Sequence, residues 1–126
     1  AMVVHGYGGL DELTTTGPNV VSHLRDGEIR TYELDPETLG FRGANIHELL
    51  GGEPPANASI MRGVLSGDID DAKRDVVILN AAAAIIAAGR ADTWEEGMRI
   101  AEESINSGAA LDKLNRLLAF SQRVAQ

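Results

Sequence analysis

The chain has 126 residues, 44% hydrophobic and 24% charged, with a formal net charge of −8 and no cysteine. That length is one domain's worth and can bury a core, and the composition is ordinary for a soluble globular protein. Eleven scattered Lys and Arg on an acidic chain argue against a nucleic-acid surface, zero cysteines exclude disulfides and thiolate chemistry, and no run nears the roughly 18 apolar residues that cross a bilayer.

Ala1 to Val4 is an apolar run that reads as the tail of a strand already under way, expected in a mostly parallel sheet. Natural domains rarely begin inside an element, so the sequence reads as a piece of something longer. His5-Gly6-Tyr7-Gly8-Gly9-Leu10-Asp11-Glu12 follows, with Thr14 to Gly17 behind it. Three glycines in four positions let the backbone turn sharply and approach something closely. Neighbouring side chains point to opposite faces of a strand and sit about 100° apart on a helix. Adjacent carboxylates therefore converge only in a turn or at a helix start. Asp11 and Glu12 allow two readings on the residues alone, evenly matched. They could hold a hard cation such as Mg²⁺, which commonly takes one or two protein carboxylates and fills its other positions with phosphate and water. Or Asp11 could cap a helix whose dipole favours Glu12.

Val20 to Leu24 and Glu28 to Leu34 flank Arg25-Asp26-Gly27, and Asp-Gly between two β-prone runs is a strong hairpin signal. The alternation in the second run is untidy and does not say which face is buried. Asp35-Pro36-Glu37 is turn chemistry or a helix start, and Asn45 to Leu50 gives one or two helical turns capped by Asn45. Glu53-Pro54-Pro55 reads as a non-helical break.

From there the pattern is helical. Asn57 is expected to cap a segment with Ile60, Met61, Val64 and Leu65 on one face, ended by Ser66-Gly67. Asp70 or Asp71 opens the next, Ala72 to Ala88, which is apolar nearly all round and so should be central. Thr93-Trp94-Glu95-Glu96 is a capping box ahead of a third helix. The last runs from Ala109 or Ala110 to Arg123, with Leu111, Leu114, Leu117 and Leu118 at helical spacing. His5 reads as a hydrogen-bonded residue at a strand end rather than a base, because no orienting partner is nearby. His23 and His47 read as surface residues, Trp94 as a core or staple residue. Asn80, within the apolar helix, reads as structural and needs a partner, since a buried unpaired amide costs about 1–3 kcal/mol.

Val3-Val4-His5-Gly6-x-x-Gly9-Leu10-Asp11-Glu12 with its Thr-rich turn resembles the signature in the C-terminal half of anthranilate phosphoribosyltransferases. Tyr32 to Gly40, Gly51-Gly52, Asn57-Ala58, Leu79 to Ala83, Glu96-Gly97 and Ser107 to Ala110 also fall where that family has them, so the resemblance spans essentially the whole chain. It implies an α/β fold, the C-terminal part of the large α/β domain of a phosphoribosyltransferase of the nucleoside-phosphorylase-like class: a short strand, a β-hairpin and about four helices. Residues 1–50 would carry the strand, metal-binding turn and hairpin, and residues 56–126 the helical part; an N-terminal helical domain and the phosphoribosyl-pyrophosphate loop would lie upstream. It implies that Asp11 and Glu12 serve a Mg²⁺ accompanying phosphoribosyl pyrophosphate, with anthranilate as acceptor, in a cytoplasmic homodimer with no nucleic-acid or membrane partner. The family's glycine- and threonine-rich substrate loop, its Lys-His-Gly-Asn segment and the arginine that meets anthranilate are absent here, so this chain alone is expected to be inactive. Two other readings are a nucleic-acid-binding relative of the same fold and a non-catalytic module that pairs with a separate chain.

Overall fold

The Asp26-Gly27 turn organises the first half of the chain. Both residues have positive φ, 52° and 83°, the conformation whose twist matches the flanking strands. The computed structural model describes residues 1–124, so residues 125–126 of the expected helical part lie outside the described residues. Strand β1 (Met2–His5) pairs antiparallel with β2 (Asn19–Arg25), which pairs antiparallel with β3 (Glu28–Leu34), in spatial order β1-β2-β3. Within the described residues the one partner of the first strand is β2, in the register Val4 opposite Val21 and His5 opposite Val20. The segment from Gly6 to Pro18 folds back on itself and brings the chain in reverse against the strand it has just left.

Four helices follow: α1 (Pro54–Ser66), α2 (Ala72–Ala87), α3 (Trp94–Asn106) and α4 (Ala109–Val124). Pro54 and Pro55 stand inside the first turn of α1, which overturns their reading as a break. The first N–H groups of a helix have no intrahelical acceptor, so two prolines, which lack that group, fit there at little loss. Asn57 is not the cap. Its amide reaches back to Gly52, accepting from the N–H at 2.7 Å and donating to the C=O at 2.8 Å. Asp71 caps α2 through the Lys73 N–H, and Thr93 caps α3 through the Glu96 N–H. The Glu96 carboxylate closes that box one residue early, on the Asp92 N–H.

Helix α2 is central, as its composition predicts. Ile78 and Leu79 are both buried and lie about 100° apart on the helix. Leu79 joins Leu13, Val21 and Leu34 beneath the sheet, and Ile78 joins Ala101 and Ile105 against α3. The alanine run is a close-packing surface: a Cβ added at Gly97 of α3 would meet the Ala82 carbonyl at 3.1 Å and its Cβ at 3.2 Å. Trp94 packs against the first cluster, with its indole N–H donating to the Tyr32 hydroxyl at 3.3 Å.

Candidate functional site

Where β1 ends, Gly6 donates its N–H to the Leu10 carbonyl at 2.8 Å and accepts the Gly9 N–H at 3.1 Å, closing a single 3₁₀ turn over Tyr7–Gly9. Gly8 and Gly9 occupy left-handed conformations, φ 72° and 90°, that a side chain would strain. Gly6 is required for a different reason. Its φ of −76° is ordinary, but a Cβ there would lie 2.2 Å from the Glu12 carbonyl oxygen. The close approach that the glycines permit at this point is thus of the chain to itself. Tyr7 repeats the pattern, its ring lying against Gly17, where a Cβ would fall 2.6 Å from ring carbon.

Asp11 and Glu12 sit on the resulting bend, both exposed. The next regular element after the turn is strand β2 at Asn19, so no helix starts at Asp11, and the capping alternative is overturned. Among the described residues neither carboxylate enters an ion pair or accepts a side-chain hydrogen bond. The residues directly after them are the opposite. Leu13, Thr14, Thr15 and Asn19 are all 0% exposed. Asn80, on α2, accepts the Leu13 N–H at 3.0 Å and donates to the Leu13 carbonyl at 2.7 Å. Asn19 does the same for Thr14, accepting its N–H at 2.8 Å and donating to its carbonyl at 2.9 Å. Thr14 and Thr16 share a hydroxyl contact of 3.0 Å, while the buried Thr15 hydroxyl has no partner among the described residues. A pair of solvated carboxylates is therefore mounted on a fixed, buried coil. Sequence reading identified the carboxylates but not Asn19, and gave Asn80 a structural role without its partner; both partners lie too far along the chain, or in too irregular a segment, to leave a local pattern.

The remaining candidates stay apart. His5 is exposed on β1 opposite Val20. His23 is half-buried on the sheet face that turns toward α2, and His47 is exposed in the short 3₁₀ turn Ile46–Leu49. Among the described residues no group of three or more His, Asp and Glu could hold a metal by itself. The donor set at the corner is two carboxylates, which suits a hard divalent ion that keeps phosphate and water in its other positions. Beside Glu12 runs a groove of about 430 Å³, whose lining includes Ile60, Met61, Val64 and Val77 together with Lys73 and Asn57. The Lys73 ammonium donates to the Glu48 carbonyl. At the opposite end of the sheet a second cleft of about 520 Å³ lies between the hairpin tip and the α2–α3 turn. There Arg25 and Asp92 pair at 2.5 Å, and Asp92 holds the guanidinium proton more firmly than usual.

A strand, a glycine turn bearing an Asp-Glu pair, an antiparallel hairpin and four helices form an α/β arrangement of the nucleoside-phosphorylase-like phosphoribosyltransferase class. A family model described as "Glycosyl transferase family, a/b domain" matches residues 1–111, and the chain belongs to that family. It is 49% identical over 125 residues to the anthranilate phosphoribosyltransferase of Rubrobacter xylanophilus, covering 99% of this chain and 36% of that protein. Against that of Methanocorpusculum labreanum it is 52% identical over 121 residues, covering 96% and 35%. The chain thus spans about a third of the length of the curated relatives it matches. Among solved structures, the anthranilate phosphoribosyltransferase of Thermus thermophilus superposes with a TM-score of 0.84 at 38% identity, over 95% of this chain and 35% of that one. The Saccharomyces cerevisiae enzyme, solved in complex with phosphoribosyl pyrophosphate and Mg, gives 0.78 at 32% identity, over 90% and 33%.

Proposed function

We propose that this chain is the C-terminal segment of the α/β domain of an anthranilate phosphoribosyltransferase, and that its Asp11–Glu12 corner holds the Mg²⁺ that accompanies phosphoribosyl pyrophosphate. The observation that carries the reading is the corner itself: two solvated carboxylates, free of internal partners among the described residues, held by a coil whose backbone is clamped. The reaction joins the amine of anthranilate to C1 of the phosphoribosyl group and releases pyrophosphate. It needs little covalent help from a protein; positioning and charge neutralisation carry most of it. Bound Mg²⁺ supplies Lewis-acid neutralisation of charge on the departing pyrophosphate. Asp11 and Glu12 hold the ion's position, Gly6 and the Tyr7–Gly9 turn hold theirs, and Leu13 to Asn19 keep the corner from shifting as charge develops. Residues 1–50 supply the corner and its sheet, helices α1 to α4 the helical support, and the complete enzyme is a homodimer. The rest of the substrate contacts come from outside this chain, which alone has no transferase activity; product formed by the pure 126-residue chain would overturn that statement.

In the complete enzyme, replacing both Asp11 and Glu12 with alanine is expected to abolish most Mg²⁺-dependent turnover while leaving Tm nearly unchanged, because among the described residues both side chains are exposed and neither has a side-chain partner. A large fall in Tm with ordinary Mg²⁺ dependence would overturn the metal reading.

A further inference from the structure

Two asparagines from different elements grip consecutive residues immediately behind the carboxylates. Asn80 takes both backbone groups of Leu13, and Asn19 both of Thr14. A buried coil needs partners for its backbone groups, and side-chain amides are able to supply donor and acceptor at once. Asn80 goes further. Its second amide hydrogen goes to the Val76 carbonyl at 2.9 Å, one turn back on α2, which fixes the orientation of the side chain itself. The Leu13 N–H that it accepts belongs to the same planar peptide group as the Glu12 carbonyl. That carbonyl is the atom a Cβ on Gly6 would meet at 2.2 Å. The peptide plane behind Glu12 is therefore set from one side by α2 and closed from the other by the glycine turn.

We propose that Asn80 is a positioning residue for the Asp11–Glu12 corner: it transmits the rigidity of α2 through the Glu12–Leu13 peptide and sets where the Glu12 carboxylate stands. This rests on the metal reading above. Outer-shell groups that orient ligands change metal affinity by about 10–100-fold when removed.

The test uses Mn²⁺ as a paramagnetic substitute, with free Mn²⁺ followed by electron paramagnetic resonance as it is titrated into the complete enzyme. Four variants are compared: Asp11→Ala with Glu12→Ala, Asn80→Ala, Asn80→Asp, and Ile105→Ala as a destabilised control in the α2–α3 core. Asn80→Ala is expected to weaken Mn²⁺ binding about 10–100-fold, and Ile105→Ala to lower Tm comparably with no such change. Asn80→Asp keeps the acceptor for Leu13 and loses both donors, so it is expected to weaken binding too, and it is read if the alanine variant fails to fold. Mn²⁺ affinity that is unchanged by Asn80 substitution, or that falls equally in Ile105→Ala, overturns the inference while the metal site stands. Mn²⁺ affinity unchanged in the double carboxylate variant overturns the metal reading, and this inference with it.

Discussion

A single methyl group added at Gly6 isolates what the glycine turn does. The residue has φ −76° and ψ 154°, an extended conformation open to alanine, so backbone strain contributes nothing and the effect is steric. The new Cβ would stand 2.2 Å from the Glu12 carbonyl oxygen and 2.9 Å from the Leu10 Cβ; against a closest real approach of 3.0 Å, the first contact must open by about 0.8 Å. Neither neighbour yields easily. The peptide behind Glu12 is held by Asn80, and the Leu10 carbonyl is held by Gly6 itself. Overpacking together with one weakened backbone hydrogen bond is expected to destabilise Gly6→Ala by roughly 2–4 kcal/mol. Gly8→Ala is the contrast: φ is 72° and nothing lies within 4 Å of the added atom. Its penalty is the left-handed conformation alone, about 1–2 kcal/mol, with the corner intact. Urea unfolding gives the stabilities, and Mn²⁺ titration gives the geometry. Gly6→Ala should lose both stability and metal affinity, Gly8→Ala chiefly stability. A Gly6→Ala protein as stable as the parent, or a Gly8→Ala protein with the weaker Mn²⁺ binding, would refute the reasoning.

Asn19→Ala should destabilise by roughly 3 kcal/mol, since it strands the buried Thr14 N–H and carbonyl; urea unfolding within about 1 kcal/mol of the parent would contradict this. Burial raises the Asp75 pKa above its ordinary 3.8, with Arg74 opposing and Asp70 and Asp71 reinforcing the shift. The charged form is thus disfavoured in the fold, so Asp75 contributes most below the unfolded value and loses that contribution as pH rises through the raised folded value. Asp75→Asn should therefore raise Tm at pH 7, and the gain should vanish below pH 3.8; an equal gain at both would count against the burial explanation.

The helices and the hairpin turn were legible because their signals are local: Asp26-Gly27, the Asp71 and Thr93 caps, and the apolar repeat of α2. The buried face of the hairpin was not. His23, Arg25, Glu28 and Arg30 occupy the face turned toward the helices, at the end where the sheet overhangs the α2–α3 turn. Val3, Val20, Leu24 and Ile29 occupy the outer face. The usual rule that apolar side chains mark the inside fails for that half of the hairpin, which explains the untidy alternation. Pro54-Pro55 misled because proline stops a helix everywhere except in its first turn. Asp11 and Glu12 were legible as a pair, but only the fold removes the helix that would have made them a cap. The clamp behind them has no local trace, since Asn80 lies 67 residues from Leu13.

The outer face of the sheet leads to a prediction about the chain in isolation. Val3 is 73% exposed and Ile29 71%, with Val20 and Leu24 nearly half exposed beside them. Leu24 and Ile29 are directly opposite, and Val3 and Val20 stand on the same face around the hydrogen-bonded Ser22–Thr31 pair. Among the described residues β1 pairs with a neighbour on one side, and its other edge carries unpaired backbone groups. Exposed apolar patches of a few hundred Å² on monomers are often functional. At about 25 cal/mol per Å², burying a few hundred Å² of apolar surface gives several kcal/mol before the cost of association is set against it. An apolar face bordered by an open strand edge therefore favours contact with a second sheet over contact with water. The isolated chain is expected to self-associate at micromolar concentration, and lysine at both Val3 and Ile29 should return it to a monomer without loss of helix signal. Sedimentation showing a compact monomer at every concentration, with cooperative unfolding and no response to the lysines, would refute this.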